Sequence, residues 1–255
     1  MVRWFCGAGQ DQVFGIVITL SILGIVAALQ TEARSLGSLS LAASRLVHLS
    51  TSTLLYIAGM GAKQAQVAAE VLMAENVSAL LSWGCAGALH SKLSPGNLIV
   101  PNMVIYPEKG VFSADKDWHK RLLIRLADQL EIFTEPLVQS TSTLRSRAEK
   151  LNFFEQYQAM AVDMESASVA KAAVEADLPF VAIRAIVDPF EQNIPPSFFK
   201  AISQRGRLQP FHLLANLARR PADVLILNQL RRNFNAARNT LTTVASLVGE
   251  DFLAF

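Results

Sequence analysis

The chain has 255 residues, of which 51% are hydrophobic and 17% are charged, and its formal net charge is +2. This length is enough to bury one large core and lies at the upper end for a single α/β domain. Two cysteines, Cys6 and Cys85, are too few for a disulfide framework, and the four histidines lack metal-ligand spacing. The composition therefore excludes a disulfide-rich secreted domain and a zinc site, and it fits a reduced cytoplasmic setting without metal or cofactor.

Residues 13–29 form an uncharged N-terminal run that has two interpretations. Its length suits a short membrane span or the hydrophobic region of a signal peptide. Residues 22–28 also have the continuous apolar character of a buried strand, and a polar segment begins at residue 31. We favour the strand, with residues 1–20 as an N-terminal extension and residues 21–255 as one domain.

Strands and helices alternate through the middle of the chain. Apolar patterning predicts strands at residues 54–58, 77–83, 135–139 and 180–187, and a turn followed by a strand within residues 96–101. Helix-forming residues predict helices at residues 62–75, 117–130 and 145–154, with another that begins at Glu165. This alternation predicts an α/β fold whose sheet is largely parallel and covered by helices.

Two glycine-containing segments follow predicted strands, at residues 59–61 and 84–87. Glycine in a turn lets backbone N–H groups approach a ligand oxygen. A dinucleotide-binding loop needs a third glycine, and the chain has Gln64 where that glycine is required. The pattern therefore excludes a Rossmann-type oxidoreductase, and a tight strand-to-helix turn is the alternative to a ligand site.

Two carboxylates lie at strand ends in an otherwise apolar frame. Glu165 follows a short strand and begins an alanine-rich helix, and Asp188 ends the predicted strand at residues 180–187. This placement indicates a polar site. The structural alternatives are a helix-start acid for Glu165 and a cap of the turn before Pro189 for Asp188.

The C-terminal part, residues 200–255, is predicted to be helical and basic. Residues 200–239 carry one lysine and seven arginines against a single acid, Asp223. The basic face suits solvent, anionic lipid or a phosphate, but it lacks the interleaved aromatics of a nucleic-acid surface. A three- and four-residue repeat predicts an apolar stripe that packs on the protein's own core, or alternatively on a second subunit or lipid, at Leu227, Leu230, Phe234, Ala237, Leu241, Val244 and Val248.

Four sequence blocks resemble the nucleoside phosphorylase and nucleosidase family, which includes the 5'-methylthioadenosine/S-adenosylhomocysteine nucleosidases. They are residues 24–32 (GIVAALQTE), 58–62 (AGMGA), 83–100 (starting WGCAGAL and ending PGNLIV) and 161–188 (starting AVDME and ending RAIVD). The resemblance implies a single-domain nucleoside phosphorylase-like fold with a central mixed sheet flanked by helices and a helical C-terminal extension. It also implies an enzyme that cleaves N-glycosidic bonds and assembles as a homo-oligomer.

Residues 194–223 and the helix after them resemble the hopanoid-associated phosphorylase branch, whose proposed role is to release adenine from adenosylhopane in hopanoid biosynthesis. A lipid-linked nucleoside implies a wide apolar groove and a cytoplasmic enzyme that contacts the inner membrane surface through basic residues. The alternative substrate is a small soluble adenosine derivative, such as methylthioadenosine, S-adenosylhomocysteine or a futalosine-like compound. A third hypothesis is a nucleoside-binding protein without turnover.

The resemblance assigns roles to four residues. Asp188 is the general acid at purine N7, and Glu32 activates the attacking water. Glu165 accepts hydrogen bonds from the ribose hydroxyls, and Met164 packs against the sugar. We expect burial at a strand end to raise the pKa of Asp188, because an acid must keep its proton near neutral pH.

The remaining site residues follow from the same resemblance. Cys85 and Gly87 line the sugar or nucleophile pocket, and Leu144 ends a segment, residues 140–144, that presents backbone groups to the purine edge. This segment lacks the family's aspartate-aromatic combination. Purine phosphorylases hold phosphate with an arginine where this chain has Ser82, so we favour water over phosphate as the co-substrate.

Overall fold

The computed structural model describes residues 21–37, 45–193 and 223–249, with the backbone alone for residues 223–227. In these ranges the strands are β1 Leu23–Ala27, β2 Leu46–Ser50, β3 Thr53–Ile57, β4 Ala79–Ala88, β5 Leu98–Ile99, β6 Met103–Tyr106, β7 Gly110–Ser113, β8 Ile132–Phe133, β9 Leu137–Gln139, β10 Ala161–Asp163 and β11 Phe180–Asp188. The helices are α1 Gln30–Ala33, which continues into a 3-10 turn at Arg34–Leu36, α2 Ala62–Ala74, α3 Lys116–Leu126, α4 Arg147–Tyr157, α5 Ser166–Glu175 and α6 Asp223–Val248.

The strands form one mixed sheet in the order β2-β3-β1-β4-β10-β9-β6-β7, and β11 branches from β4 towards β5 and β8. The first half of β4 runs parallel between β1 and β11, whereas its last residues pair antiparallel with β10. The carboxyl ends of β1 and β11 therefore meet at the same edge of the sheet, beside the second half of β4. This arrangement confirms the predicted α/β fold with a central mixed sheet flanked by helices.

The second glycine-containing segment is not a turn, so that prediction was wrong. Residues 84–87 continue β4, which pairs with β11 as far as Gly87 and with β10 at Gly87 and Ala88. Two neighbouring strands satisfy the backbone groups of this segment, and that long-range pairing outweighs the local preference of glycine for turns.

The region between residues 102 and 116 contains two strands that the sequence patterning did not predict. It contains the antiparallel hairpin β6–β7, in which Met103 pairs with Ser113 and Tyr106 with Gly110. Strand β7 is largely exposed at the end of the sheet, and its sequence, Gly-Val-Phe-Ser, lacks the continuous apolar character that marks buried strands. Strand β6, Met-Val-Ile-Tyr, is a short apolar run.

The apolar N-terminal run supplies β1, as the strand interpretation predicted. All five residues of β1 are buried, and the strand lies between β3 and β4. Residues 1–20 lie outside the described ranges, so the N-terminal extension and the domain limits remain predictions. Across the described ranges, no helix combines the length and apolar character that crossing a membrane requires.

Helices cover the two faces of the sheet. Alanine-rich faces of α2 and α5 pack together on one face, and α3 and α6 cover the other. The α6 residues that are buried on the α3 side of the sheet are Ala237, Leu241, Val244 and Val248. Complete burial of one such valine or leucine stabilises the fold by about 1.5–3 kcal/mol. The prediction that the α6 stripe packs on the protein's own core is therefore confirmed for these four residues, while Leu230 and Phe234 are half-buried.

Candidate active site

The site lies where β1, β4, β10 and β11 approach one edge of the sheet. Glu32 is on α1, directly after β1, and Glu165 precedes α5, directly after β10. Cys85 lies in β4, and Asp188 is the last residue of β11. The topology thus brings Glu32 to the same edge as Glu165 and Asp188, which lie 133 and 156 residues later in the chain.

Glu32 is a buried carboxylate held by backbone donors on both oxygens. The N–H of Cys85 donates to Oε1 at 2.8 Å, and the N–H of Leu29 donates to Oε2 at 2.9 Å. Burial raises the pKa of Glu32, although the nearby Arg184 guanidinium and these hydrogen bonds act in the opposite direction. The result is a fixed acid whose basicity is higher than that of a carboxylate in water.

Arg184, in the middle of β11, is a site residue to which the sequence analysis assigned no role. Its Nη2 lies 2.9 Å from Asp163 Oδ2, 2.6 Å from Ser82 Oγ and 3.0 Å from Ser166 Oγ. Among the described residues, its buried Nη1 has no hydrogen-bond partner. The sequence contained one signal for the role of Arg184, which is a single cation within the apolar run of residues 180–187. Arginine is seldom fully buried without a partner, so a cation in a buried strand indicates a nearby acid.

Ser82 contributes to this network rather than to an open phosphate pocket. Its side chain is completely buried, and its hydroxyl accepts from Arg184 and also contacts Ser166 Oγ at 3.1 Å. The cation of this site is therefore Arg184 on β11. The purine phosphorylases instead carry an arginine at the β4 position that Ser82 occupies here. The charge of Arg184 is already paired with Asp163.

Gly84 separates Glu32 from Arg184. A Cβ atom at this position would lie 2.6 Å from Glu32 Oε1 and would also overlap Arg184 Nη1. Both neighbours are held by hydrogen bonds and cannot withdraw freely. The absence of a side chain at residue 84 is thus what allows the carboxylate and the guanidinium to share one site.

We expect Gly84→Ala to lower the stability of the protein by about 1–3 kcal/mol and to reduce its turnover. The added methyl group must displace Glu32 or Arg184. Urea denaturation measures the change in stability, and release of purine from a nucleoside, the activity that the family resemblance implies, measures turnover. Gly24→Ala is the matched control, because its Cβ would crowd apolar side chains such as Leu80 at 2.9 Å; it should change stability alone. Normal turnover by Gly84→Ala would show that turnover does not depend on the placement of Glu32 and Arg184.

Glu165 is buried at the start of α5 and is fixed by two backbone N–H groups. Gly61 donates to Oε1 at 2.7 Å, and Met164 donates to Oε2 at 3.2 Å. Burial and the neighbouring charge of Asp163 raise the pKa of Glu165 to about 7. The first glycine turn, which we expected to face a ligand oxygen, thus directs the Gly61 N–H to a site carboxylate, and Gly61 has the positive φ of 98° that permits this turn.

Asp188 is 9% exposed, and its two carboxyl oxygens have different surroundings. Oδ2 lies 2.8 Å from the ammonium of Lys150, whereas the buried Oδ1 has no hydrogen-bond partner among the described residues. Burial raises the pKa of Asp188 more than the Lys150 charge lowers it. The expected direction of the shift is confirmed, and it favours a carboxyl group that retains its proton.

The other predicted substrate-binding residues lie around these acids. A Cβ at Gly87 would lie 3.5 Å from Asp188 Oδ2, and Cys85 adjoins Glu32. Burial and Glu32 raise the pKa of the Cys85 thiol well above its ordinary value, which fits a lining residue rather than a nucleophile. Met164 is half-buried, with its sulfur 3.9 Å from Thr143 Oγ1.

Leu144, which was predicted to lie in a substrate-binding segment, is buried among apolar side chains. It is buried in a small cluster whose other members are Leu89, Val138, Ala159 and Val162. Residues 140–142 form a tight turn in which Ser140 Oγ donates to the Ser142 carbonyl at 2.6 Å. The contact of residues 140–144 with a purine edge therefore remains a prediction.

Comparison with known proteins gives the fold and the family. A 5'-methylthioadenosine/S-adenosylhomocysteine nucleosidase of Staphylococcus epidermidis is 26% identical over 149 residues, which span 51% of this chain and 65%, less than two thirds, of that relative. The crystal structure of such a nucleosidase from Neisseria meningitidis in complex with methylthio-immucillin-A superimposes with a TM-score of 0.66 at 16% identity, covering 90% of this chain and 99% of the other. Futalosine hydrolase of Helicobacter pylori superimposes with a TM-score of 0.64 at 15% identity, covering 89% and 98%.

The sequence also matches a defined protein family over residues 45–219. This range is more than half of the chain and contains Glu165, Arg184 and Asp188, while Glu32 precedes it. The two structural likenesses support the same fold. The chain belongs to the phosphorylase superfamily.

Proposed function

We propose that this protein hydrolyses the N-glycosidic bond of a purine nucleoside, with a small soluble adenosine derivative as its substrate. The observation that carries the proposal is the pair of buried acids at one sheet edge. Asp188 has a raised pKa, and its Oδ1 has no hydrogen-bond partner in the described part of the chain. Glu32 is fixed beside Arg184 Nη1, which likewise has no partner among those residues. The first suits a proton donor, and the second suits a group that orients and deprotonates water.

Each acid has a separate step in the proposed reaction. Asp188 donates its proton to purine N7, the bond between the ribose and the purine breaks, and the bonding electron pair leaves with the purine. Positive charge then develops on the ribose, where Glu165 accepts hydrogen bonds from the hydroxyls and stabilises that charge. Water attacks the anomeric carbon, and its proton passes to Glu32.

The charges around Arg184 support water rather than phosphate as the attacking group. The guanidinium is paired with Asp163, and Glu32 lies next to it. A phosphate dianion placed there would meet the Glu32 carboxylate, and like charges at such distances repel strongly in a buried site. A neutral water molecule carries no such penalty and can donate to the carboxylate.

Support for the substrate class comes from relatives rather than from a bound ligand. The Staphylococcus epidermidis relative is a nucleosidase for methylthioadenosine and S-adenosylhomocysteine, and the Helicobacter pylori neighbour is a futalosine hydrolase. Residues 194–222, on which most of the resemblance to the hopanoid branch depends, lie outside the described ranges. We adopt the soluble nucleoside because these relatives are named for such substrates; adenosylhopane, membrane contact, cytoplasmic location and homo-oligomer formation remain predictions.

Purine release from four nucleosides tests the proposal. Methylthioadenosine, S-adenosylhomocysteine, futalosine and adenosylhopane are each incubated with the protein, with and without phosphate, and the products are separated by chromatography. We expect release from at least one of the soluble nucleosides, with the free sugar as the second product under both conditions. Release from adenosylhopane alone would overturn the substrate class, a sugar phosphate would overturn hydrolysis, and no release at all would overturn the function.

A further inference from the structure

Lys150 is a fully buried lysine directly beside the proposed general acid. It lies on α4, its side chain is 0% exposed, and its ammonium contacts three oxygen atoms. These are Asp188 Oδ2 at 2.8 Å, the Pro189 carbonyl at 2.7 Å and the Gln192 carbonyl at 3.2 Å. Lysine is almost never fully buried unless it is paired. The three oxygen partners therefore indicate that the fold holds the Lys150 ammonium at a defined position.

The contacts of Lys150 distinguish the two oxygens of Asp188. Oδ2 accepts from the ammonium, and a Cβ placed at Gly87 would lie 3.5 Å from it. Oδ1 is buried but has no hydrogen-bond partner among the described residues. A buried polar atom without a partner is costly, and a substrate atom that shares the Asp188 proton would remove that cost.

We propose that Lys150 is a positioning residue for the general acid, which anchors Asp188 Oδ2 so that Oδ1 carries and delivers the proton. This inference rests on the proposed function. As the proton leaves Oδ1, Asp188 becomes an anion next to a fixed cation. Lys150 thereby stabilises the conjugate base that forms during bond cleavage.

The same ammonium fixes the chain that follows β11. By holding the carbonyls of Pro189 and Gln192, Lys150 links α4 to the segment directly after the acid. The side chain of Gln192 also accepts from Asn233 Nδ2 of α6 at 3.1 Å. The direction of the Asp188 carboxyl group therefore depends on three elements that are remote in sequence.

Lys150 is the charged group that dominates the surroundings of Asp188. The other cation of α4, Arg147, pairs with Glu191 at 2.8 Å, and both side chains are more than half exposed. His90 contacts the Phe154 ring of the same helix, with ring centroids 5.1 Å apart, and β4 contributes the uncharged Gly87. The described arginines of α6 are exposed: Arg231, Arg232 and Arg238.

Replacing Lys150 with methionine tests the proposal. We expect kcat for the soluble nucleoside to fall roughly 10²-fold, towards the lower end of what a general acid contributes, while KM changes little. Removal of the cation that lowers the pKa of Asp188 should also shift the alkaline limb of the pH–rate profile to higher pH. Lys150→Arg keeps the charge and should keep the limb near its wild-type position even if kcat is reduced.

Lys171→Met is the matched control, because Lys171 is a partly exposed lysine that pairs with Glu175 on α5. It should leave kcat and the profile unchanged. If Lys150→Met loses thermal stability but retains the wild-type kcat and alkaline limb, Lys150 is structural and the proposal is overturned. If Lys150→Met does not fold, Lys150→Gln takes its place in every measurement.

A measurement without turnover separates this proposal from the proposed function. Carbon-13 labelling of aspartate follows the titration of Asp188, assigned by its loss in Asp188→Asn. A titration that moves to higher pH in Lys150→Met or Lys150→Gln supports the contact even if the wild type cleaves no nucleoside, and an unchanged titration overturns it. If neither variant folds, the nitrogen-15 signal of the Lys150 ammonium is compared between wild type and Asp188→Asn; an unchanged signal overturns the contact.

Discussion

Replacing Asp188 with asparagine is expected to lower kcat for purine release by about 10³-fold, within the range that a general acid contributes. The amide has nearly the shape of the carboxyl group, but it is not an acid at any pH near neutrality. It can still form a hydrogen bond with the purine, so the nucleoside Kd should change little. Steady-state assays and calorimetric titration with a nucleoside measure the two quantities.

The pH dependence of the wild type provides a second check on Asp188. The acid must hold its proton, so activity should fall as the pH rises through the raised pKa of Asp188. The base must be ionised, so activity should rise as the pH increases through the raised pKa of Glu32.

Asp177→Asn is the matched control for Asp188→Asn, because Asp177 is exposed and has a positive φ of 55° that asparagine tolerates. Weak binding with unchanged turnover in Asp188→Asn would show that the acid has been misassigned.

Glu32→Gln is expected to lower hydrolysis by about 10²–10³-fold, because an amide does not accept a proton from water. It also creates a conflict in the hydrogen bonds. Both oxygens of Glu32 accept backbone N–H groups, from Cys85 and Leu29, and an amide must turn its NH₂ group towards one of these donors. Leaving one buried donor unsatisfied costs about 1–3 kcal/mol. Turnover and urea denaturation are measured together.

Glu75→Gln is the control for Glu32→Gln, since Glu75 is an exposed acid at the end of α2. It should change neither turnover nor stability measurably. A Glu32→Gln protein that loses stability but hydrolyses nucleosides at the wild-type rate would show that another group activates water. Turnover that becomes dependent on phosphate in this variant would show that Glu32 selects water by excluding the anion.

Local patterning accounts for most of the observed elements. The buried strands β1, β3 and β11 and the helices α2 and α4 lie within a few residues of their predicted limits, because apolar runs and helix-forming residues act locally. Residues 84–87 were assigned to a turn for the same local reason. There the pairing of β4 with β10 and β11 determined the conformation, and such pairing has no signature in the segment itself.

The acids of the candidate site were predictable from the sequence, but its two buried cations were not. Asp188 and Glu165 stand out as acids at strand ends, and the family resemblance added Glu32. Arg184 and Lys150 were not identified, although both are cations in segments that pack against the core. Their partners, Asp163 and Asp188, lie 21 and 38 residues away in the printed sequence, so the pairs form only when the sheet and α4 assemble.

By itself, the sequence determined the α/β class, the family resemblance and the acids at strand ends, because periodicity and residue type act over a few neighbours. The tertiary structure decided what surrounds each acid. Gly84 brings Glu32 next to Arg184, and Gly61 fixes Glu165. Lys150 anchors one oxygen of Asp188, whereas the other oxygen has no hydrogen-bond partner within the ranges that the structure describes. Burial and charge pairing set the proton affinity of a carboxylate, and both depend on contacts between segments that are remote in the chain.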